Sequence, residues 1–501
     1  MEAITTLDMY VADRNSEWLG VPRIVLMENA GAAVARAVLR EFPTASRVLV
    51  VAGTGDNGGD GYVAARHLHG LGKEVRAIAL GEPREELAKI NFEALRRTFA
   101  EIAVAQSPEE LLALQSWLLW ADVIIDAILG TGIRGKLREP HATAIDLMNA
   151  SPAPKVAVDV PSGLDPDTGE VRDKAVTAAV TVTFHKAKPG LLKPEAARYV
   201  GKLVVEPIGI PPEAELYVGP GDFRRLSFAR RADSKKGDHG RVLIIGGSAE
   251  YSGAPMYVAL ASLRAGVDLA ILAEPEPAAQ AAKAYSPDLI AVPLKGDRLR
   301  PAHVEELIKL AERADAVAMG PGLGLEPETQ EAVRMLFGRL LGRKPLVIDA
   351  DAIKALSGAR AEGRGVVFTP HAGEFKALTG AEAPTELRQR MEVAKGEAAK
   401  IGAVILLKGR YDVITDGFRV RVNITGTPAM TVGGTGDVLT GLVAAFATKA
   451  KSLLDAAALA AFVNGLAGEE AAKELGFHIT ASDLLKYIPM VIRRYADERI
   501  I

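Results

Sequence analysis

Short β-branched runs recur along the chain, and each is followed by a glycine-rich turn and then by a segment with helical periodicity. The runs are apolar along nearly their whole length, which is typical of parallel strands covered by helices on both faces. The sequence therefore predicts an α/β protein with two doubly wound domains. The runs begin at Arg47, Val75, Val123 and Val156 in the first half, and at Arg241, Val267, Ala316, Pro345, Val366 and Val404 in the second.

A change in composition marks the predicted boundary between the two domains. Residues 186–222 are richer in proline and glycine and lack helical periodicity, and the segment beginning at Pro207 (PIGIPPEAELYVGPGDF) is interpreted as a final strand leading into a connector. A chain of 501 residues is also too long for one ordinary domain. We expect domains at residues 1–220 and 221–501. A helix from Ile24 to Phe42 is predicted to dock on the first sheet.

Charge and cysteine content narrow the classes of function. The chain has 60 basic and 63 acidic residues and a net charge of −3, which argues against nucleic acid as a partner. It has no cysteine, so disulfides and cysteine-bound metals are excluded. Early charges argue against a signal peptide, and no apolar run reaches the roughly 18 residues of a membrane span. We expect a cytoplasmic protein that acts on small molecules away from membranes.

The first candidate site is the loop GTGDNGGDG, which directly follows the first apolar run. Gly53, Gly55 and Gly58 match the G-x-G-x-x-G pattern of dinucleotide-binding loops, which is weak when it stands alone. Asp56 and Asp60 lie within the same loop and would repel a pyrophosphate. These carboxylates suit a ribose hydroxyl, an amide or a cation, although Asp60 could instead only cap the next helix.

Two further acids end neighbouring apolar runs. Asp126 precedes the loop that begins at Gly130 (GTGIRGK), and Asp159 precedes the sequence VPSG. In a doubly wound sheet, ligands bind at the carboxyl ends of the strands. The three acid-bearing loops are therefore predicted to converge on one site.

These motifs, GTGDNGGDG, DAILGTGIRG and VDVPSGLD, resemble those of the NAD(P)H-hydrate epimerase family, whose Rossmann-like members interconvert the R and S epimers of hydrated NADH and NADPH. The resemblance implies a K⁺ site at Asn57, Asp126 and Ser162, and it makes Asp159 both a substrate contact and the acid/base. The chain departs from the family at Asp56, where an asparagine is usual. The remaining implied substrate contacts are Asp56, Asn57, Gly58, Gly59, Asp60, Gly130, Thr131, Gly132, Ile133, Arg134, Gly135 and Lys136.

In the second half, a glycine run at Gly433 (GGTGDVLTGLVAAFAT) enters a long apolar helix. Free backbone N–H groups and the helix dipole make such a helix start an anion site. Asp437 at this point is either a helix cap or a base that takes a proton from an attacking hydroxyl. His371, in TPHAGE, is either structural or a ligand contact. Neither a P-loop nor a protein-kinase motif is present, so phosphoryl transfer would rely on the glycine anion site, a base and a metal-held nucleotide.

The second half resembles the ribokinase-like NAD(P)H-hydrate dehydratase family through KGDHGRVLIIGGS, YSGAP, GPGLG, DADA, TPHAGE and GGTGDVLTG. Members phosphorylate the hydrate with Mg²⁺ and ADP or ATP, the prokaryotic ones generally with ADP, and loss of phosphate restores NADH or NADPH. The resemblance makes Asp437 the base. The stretch KGRYD departs from the usual smaller, glycine-containing one. The implied contacts are Ala254, Gly322 and His371 for the hydrate, and Lys408, Gly409, Arg410, Tyr411, Asp412, Gly436 and Asp437 for the nucleotide.

Together the two resemblances imply a bifunctional repair enzyme for hydrated NADH and NADPH, because the epimerase would supply the S epimer that the dehydratase uses. We expect a homo-oligomer. Two alternatives stay open. One is a kinase of a small alcohol or vitamin precursor with a regulatory Rossmann domain. The other is a nucleotide sensor in which Asp159 and Asp437 perform no chemistry.

Overall fold

The structure, a computed structural model, describes residues 2–130 and 136–496. The chain divides between Ala214 and Glu215 into two compact units. No helix within the two described ranges is long and apolar enough to cross a membrane.

The first unit is built on a parallel sheet, which has seven strands among its described residues, in the order β3-β2-β1-β4-β5-β6-β7. The order reverses between β1 and β4, where open sheets of this kind form their ligand crevice. The elements are α1 (Thr6–Trp18), α2 (Arg23–Glu41), β1 (Arg47–Ala52), α3 (Asp56–Gly70), β2 (Glu74–Ala79), α4 (Glu86–Arg96), β3 (Glu101–Val104), α5 (Pro108–Ala113), α6 (Gln115–Trp120), β4 (Val123–Ala127), α7 (His141–Ala150), β5 (Lys155–Val158), β6 (Val180–Phe184), α8 (Ala197–Val200) and β7 (Lys202–Glu206). The short helix α9 (Glu213–Leu216) contains the point of division.

Helices cover both faces of this sheet, and strand β1 shows why its sequence is apolar throughout. Val48 and Val50 point into the core that α2 and α3 close. Leu49 and Val51 point into the core on the opposite face, against α5 and α7. Because side chains alternate between the faces of a strand, burial on both faces requires a continuous apolar run.

The second unit is also an α/β sheet, with nine strands in its described part, in the order β10-β9-β8-β11-β12-β13-β14-β15-β16. The strands are parallel as far as β14, and β14, β15 and β16 pair antiparallel. The elements are β8 (Arg241–Ile245), α10 (Gly253–Arg264), β9 (Leu269–Pro275), α11 (Glu276–Tyr285), β10 (Ile290–Leu294), α12 (Val304–Glu312), β11 (Ala316–Met319), α13 (Pro327–Leu340), β12 (Leu346–Ile348), α14 (Ala350–Ala355), β13 (Val366–Phe368), α15 (Ala372–Thr379), α16 (Leu387–Ile401), β14 (Val404–Leu407), β15 (Asp412–Thr415), β16 (Val420–Asn423), α17 (Thr435–Ala447), α18 (Leu453–Leu475) and α19 (Ala481–Tyr495).

The prediction of two doubly wound α/β domains is confirmed, and each apolar run contains or overlaps an observed strand. The predicted final strand from Pro207 is wrong. The strand before it, β7, ends at Glu206, and a helix begins at Glu213. Pro207, Pro211 and Pro212 have no N–H to donate to a neighbouring strand, which explains why the sheet stops there. The division at residues 220/221 stays a prediction.

Two candidate active sites

The loops after β1, β4 and β5 meet at the carboxyl edge of the first sheet. A Cβ atom on Gly53 would overlap the carbonyl oxygen of Ile128. The Gly53 N–H donates to the Ala127 carbonyl at 2.9 Å. Glycine is therefore required at position 53 for the loops after β1 and β4 to touch.

Asp126 and Ser162 form the buried floor of this edge, and both are inaccessible to solvent. The Ser162 hydroxyl donates to Asp126 Oδ1 at 2.6 Å, and the Ser162 N–H donates to Oδ2 at 2.8 Å. Burial raises the pKa of Asp126 to about 6 although these hydrogen bonds oppose the rise. No cationic side chain of the described residues pairs with the Asp126 carboxylate.

Asn57 lies in the first turn of α3, beside Gly130. A Cβ on Gly130 would lie 3.3 Å from Asn57 Oδ1. The Nδ2 atom of Asn57 is buried without a hydrogen-bond partner in the part of the chain that the structure describes. No group of three or more His, Asp or Glu side chains in the two described ranges is arranged to hold a metal ion. The side-chain oxygens of Asn57, Ser162 and Asp126 at this edge are of the amide, hydroxyl and carboxylate types.

Asp159 directly follows β5 and has a positive φ of 63°, a left-handed conformation that Asp and Asn tolerate better than most residues. Its Oδ1 atom accepts hydrogen bonds from the ammonium of Lys188 and, at 3.0 Å, from the hydroxyl of Thr183. Lys188 is fully buried, and its Nζ also donates to the Phe184 carbonyl at 3.2 Å. A fully buried lysine thus holds one oxygen of Asp159 in place.

A cavity of 530 Å³ opens above these loops. Among the predicted site residues, it is lined by Asp56, Asn57, Asp60, Gly130 and Asp159.

Other predicted contacts lie elsewhere. Gly58 and Gly59 are buried, and a Cβ at Gly58 would overlap the Gly53 carbonyl, so both serve close packing. Lys136 is exposed. Thr131, Gly132, Ile133, Arg134 and Gly135 lie outside the described residues.

Asp56, where the chain departs from the family pattern, forms an ion pair with Arg23. Arg23 Nη2 lies 3.0 Å from Asp56 Oδ2, and both residues line the cavity. Neither Arg23 nor Lys188 belongs to a recognisable motif, so sequence reasoning missed both. Their cationic groups offset part of the negative charge that the motif residues bring together.

In the second unit, helix α17 begins behind the glycine run. Its N-cap Gly434 has a φ of 95°, and Gly436 and Asp437 lie in the first turn. Residues in this turn expose N–H groups that have no partner within the helix. Lys408 Nζ would lie 3.4 Å from a Cβ on Gly436, so its ammonium reaches the start of the helix. The arrangement can bind an anion between the helix dipole and a lysine.

Asp349 connects Lys408 to helix α17. It follows β12, is 2% exposed, and accepts from Lys408 Nζ at 2.9 Å and from the Thr440 hydroxyl at 2.6 Å. Thr440 lies three residues after Asp437, almost one helical turn further along α17. Burial alone lowers the pKa of Lys408, but the carboxylates of Asp349 and Glu374 outweigh it and raise the pKa above its usual value. Lys408 is therefore a charged, positioned ammonium.

The carboxyl of Asp437 has no hydrogen bond or ion pair from any residue in the described ranges. Burial raises its pKa to about 7, and the charge of Asp349 adds to the rise while Lys408 opposes it. A carboxyl with a pKa near neutrality can accept a proton from a hydroxyl and release it afterwards.

The predicted hydrate contacts of the second unit lie on separate loops of the same sheet edge. Ala254 lies in the first turn of α10, and Gly322 follows β11 with a φ of 70°. His371 is the N-cap of α15, where its Nδ1 accepts from the N–H groups of Gly373 and Glu374 at 3.0 and 3.3 Å. Its imidazole is 59% exposed, so the capping role leaves the outer ring edge accessible.

The turn of residues 408–412 connects β14 and β15. Gly409, Arg410 and Tyr411 are exposed and accessible to a ligand. The carboxyl of Asp412 instead accepts from the Gly409 N–H and from Asn423 Nδ2, both at 3.0 Å. Asp412 therefore holds the turn together, which is a structural role beside the predicted nucleotide contact.

Comparisons with known proteins cover both units. The family described as YjeF-related protein N-terminus matches residues 23–190, and the family described as NAD(P)H-hydrate dehydratase matches residues 242–490. The bifunctional NAD(P)H-hydrate repair enzyme Nnr of Pyrobaculum aerophilum is 75% identical over 501 residues, 100% of each chain. The protein of the same name from Hyperthermus butylicus is 47% identical, and the match covers 97% of this chain and 92% of the Hyperthermus chain. A solved ribokinase-like superfamily protein from Enterococcus faecalis matches 56% of this chain and 96% of its own, at 27% identity and a TM-score of 0.50.

Proposed function

The chain belongs to the family of bifunctional NAD(P)H-hydrate repair enzymes, and from this we propose how its residues divide the two activities. Residues 1–220 epimerise the R and S hydrates of NADH and NADPH. Residues 221–501 dehydrate the S epimer with ADP or ATP through a phosphorylated intermediate. The observation that supports this most is Asp437 at the start of the glycine-capped helix. Its carboxyl has no partner in the part of the chain that the structure describes, and its pKa is raised to about 7.

In the dehydratase site, Asp437 takes the proton of the hydrate hydroxyl as the oxygen attacks the terminal phosphorus of the nucleotide. The bond from that phosphorus to the bridging oxygen breaks, and the shortened nucleotide (AMP from ADP, or ADP from ATP) leaves. The N–H groups of the first turn of α17 and the ammonium of Lys408 stabilise the charge on the transferred phosphoryl group. Asp349 keeps Lys408 in position. The exposed turn at Gly409, Arg410 and Tyr411 contacts the nucleotide. Departure of the phosphate, together with loss of a proton from the neighbouring ring carbon, then restores the ring double bond of the reduced nicotinamide.

Mg²⁺ would enter with the nucleotide, held mainly by its phosphate oxygens, and would neutralise their charge. The carboxylates of Asp349, Glu374 and Asp437 are near enough to influence one another's charge and offer hard oxygen ligands.

In the epimerase site, the hydrated carbon is aminal-like and inverts by opening and reclosing. Asp159 serves as acid/base there, positioned by Lys188. K⁺ would be held by oxygens of Asn57, Asp126 and Ser162. The fit is chemical, because a hard cation prefers such oxygens. The buried Asp126 carboxylate also has no cationic side chain as a partner among the described residues. The ion would order the loops around the substrate.

The test is recovery of NADH from a mixture of R and S hydrates, with Mg²⁺, K⁺ and either ADP or ATP. Recovery of both epimers supports both activities, and the faster nucleotide identifies the donor. Recovery that stops at the S fraction contradicts the epimerase. No recovery with either nucleotide contradicts the dehydratase and favours a kinase of a small alcohol. We also propose a cytoplasmic homo-oligomer, which light scattering after size-exclusion chromatography tests for its oligomeric state.

A further inference from the structure

A further carboxyl lines the cavity of the first unit from outside the loops that carry the sequence motifs. Asp13 lies on α1, which precedes the family match that begins at residue 23, and it lines the cavity together with Asp60 and Asp159. No motif of the sequence points to it.

Helix α1 is held at its start and near its end, which keeps the backbone of Asp13 beside the cavity. At its start, the N–H and hydroxyl of Thr6 donate to Asp167 at 2.9 and 2.6 Å. One residue before Asp13, Ala12 is fully buried, and two residues after it, Asn15 is fully buried and donates to the Ala214 carbonyl at 3.2 Å. The helix thus holds position 13 against the cavity.

The carboxyl of Asp13 is half-buried, yet no described residue gives it a hydrogen bond or an ion pair. Three other acidic residues at this edge do have hydrogen-bond or ion-pair partners. Asp56 pairs with Arg23, Asp126 accepts from Ser162, and Asp159 accepts from Lys188. Apart from Asp13, Asp60 on α3 also lacks a partner among the described residues. A free carboxyl that is fixed in place and open to the cavity is available to the ligand.

The charges that face Asp13 come from several elements. Burial is the largest influence on its pKa and raises it to about 7. Arg23 of α2 and Lys188 oppose this rise, whereas Asp159 and Asp56 add to it. Asp60 faces it from α3. Near neutral pH, Asp13 therefore exchanges a proton readily, as a general acid must.

Inversion of the hydrated carbon needs two proton transfers. As the ring C–N bond breaks, the hydroxyl loses its proton and becomes a carbonyl, and the bonding electron pair goes to the ring nitrogen, which takes up a proton. Reclosure on the opposite face reverses both transfers, so no co-reactant is consumed. Asp159, as a carboxylate, supplies one of the two groups. We propose that Asp13, which lines the same cavity as Asp159, supplies the other as the proton donor.

The inference rests on the proposed epimerisation and is tested without nucleotide, by chromatographic measurement of R hydrate formed from S hydrate. Asp13→Asn should lower kcat by about 100-fold or more with little change in KM. In the wild type the rate should fall as the pH rises above about 7, because the donor must be protonated. Asp13→Asn should not show this decrease of rate above pH 7, and Asp13→Glu should restore part of the rate. Glu17→Gln, an exposed position on the same helix, is the control and should match the wild type.

Tryptophan fluorescence shows whether the variant has folded, and Asp13→Asn should be at least as stable as the wild type because it removes an unpaired carboxyl. A wild-type protein that does not epimerise would contradict the proposed function itself. A wild type that epimerises, together with an Asp13→Asn variant of equal rate and equal pH profile, would overturn the inference. A loss of rate in Asp60→Asn that is not seen in Asp13→Asn would also overturn the inference.

Discussion

The ion pair between Lys188 and Asp159 should govern the stability of the first unit as well as its chemistry. Lys188→Met removes an ammonium that is fully buried. Among the described residues, it leaves Asp159 Oδ1 with the Thr183 hydroxyl at 3.0 Å and the Phe184 N–H at 3.3 Å as its donors. Removing one partner of a buried pair typically costs about 3–5 kcal/mol. Here the remaining Asp159 side chain is enclosed except for the 13% that is exposed at the cavity. We expect a loss of that size in the free energy of unfolding of the first unit.

A second substitution separates the charge effect from a packing effect. Asn at position 159 keeps the left-handed backbone and has no charge. In the double variant Lys188→Met with Asp159→Asn, no charge is left unpaired, so the two losses should not add. We expect the double variant to lose about 2 kcal/mol less free energy of unfolding than the two single variants lose together.

The chain offers a specific readout for this experiment. Its 3 tryptophans, Trp18, Trp117 and Trp120, all belong to the first unit, so urea unfolding followed by tryptophan fluorescence reports that unit. Lys193→Met at an exposed position is the matched control and should change stability by less than about 0.5 kcal/mol. A loss below about 1 kcal/mol for Lys188→Met, or additive losses in the double variant, would refute the reasoning.

Three further predictions concern the two sites. Asp437→Asn should lower kcat of dehydration by about 10²–10⁴-fold, and the wild-type rate should rise with pH through about 7, because the base must be deprotonated; a pH series checks both. Gly320→Ala should destabilise the protein and abolish dehydration, because the new Cβ overlaps the Asp349 carbonyl. Gly338→Ala, where a Cβ meets open space, should change neither, and thermal unfolding compares the two variants. Replacing K⁺ by Li⁺ should slow epimerisation and leave dehydration of the S hydrate unchanged in parallel assays.

The strand ends and their glycine loops could be predicted from the sequence because both follow from local rules. A continuous apolar run predicts a buried parallel strand, and a glycine loop after it predicts a close approach of backbone or ligand. The gathering of Asp126, Asp159 and the Asp56–Asp60 loop at one edge follows from that topology alone. Short strands such as β3 and β10 escaped prediction because one is partly exposed and the other contains Pro293.

The residues that sequence reasoning missed are those that tertiary packing brings to the site. Asp13 and Lys188 are far from the motifs in sequence, and nothing in their neighbours marks them. Conversely, His371 and Asp412 stand in motif positions, but their side chains also cap a helix and hold a turn. A motif predicts where a residue lies more reliably than which way its side chain hydrogen-bonds.

The central claim is that two separate carboxylates serve two successive reactions, and a mixing experiment tests it most directly. Asp159→Asn and Asp437→Asn variants are given mixed R and S NADH hydrates with nucleotide, first separately and then together. We expect the first variant to recover only the S fraction, and the second to recover NADH at least about 100-fold more slowly than the wild type. The mixture should recover NADH from both epimers. Recovery of both epimers by Asp159→Asn alone at the wild-type rate, or any recovery by Asp437→Asn alone at that rate, would contradict the account.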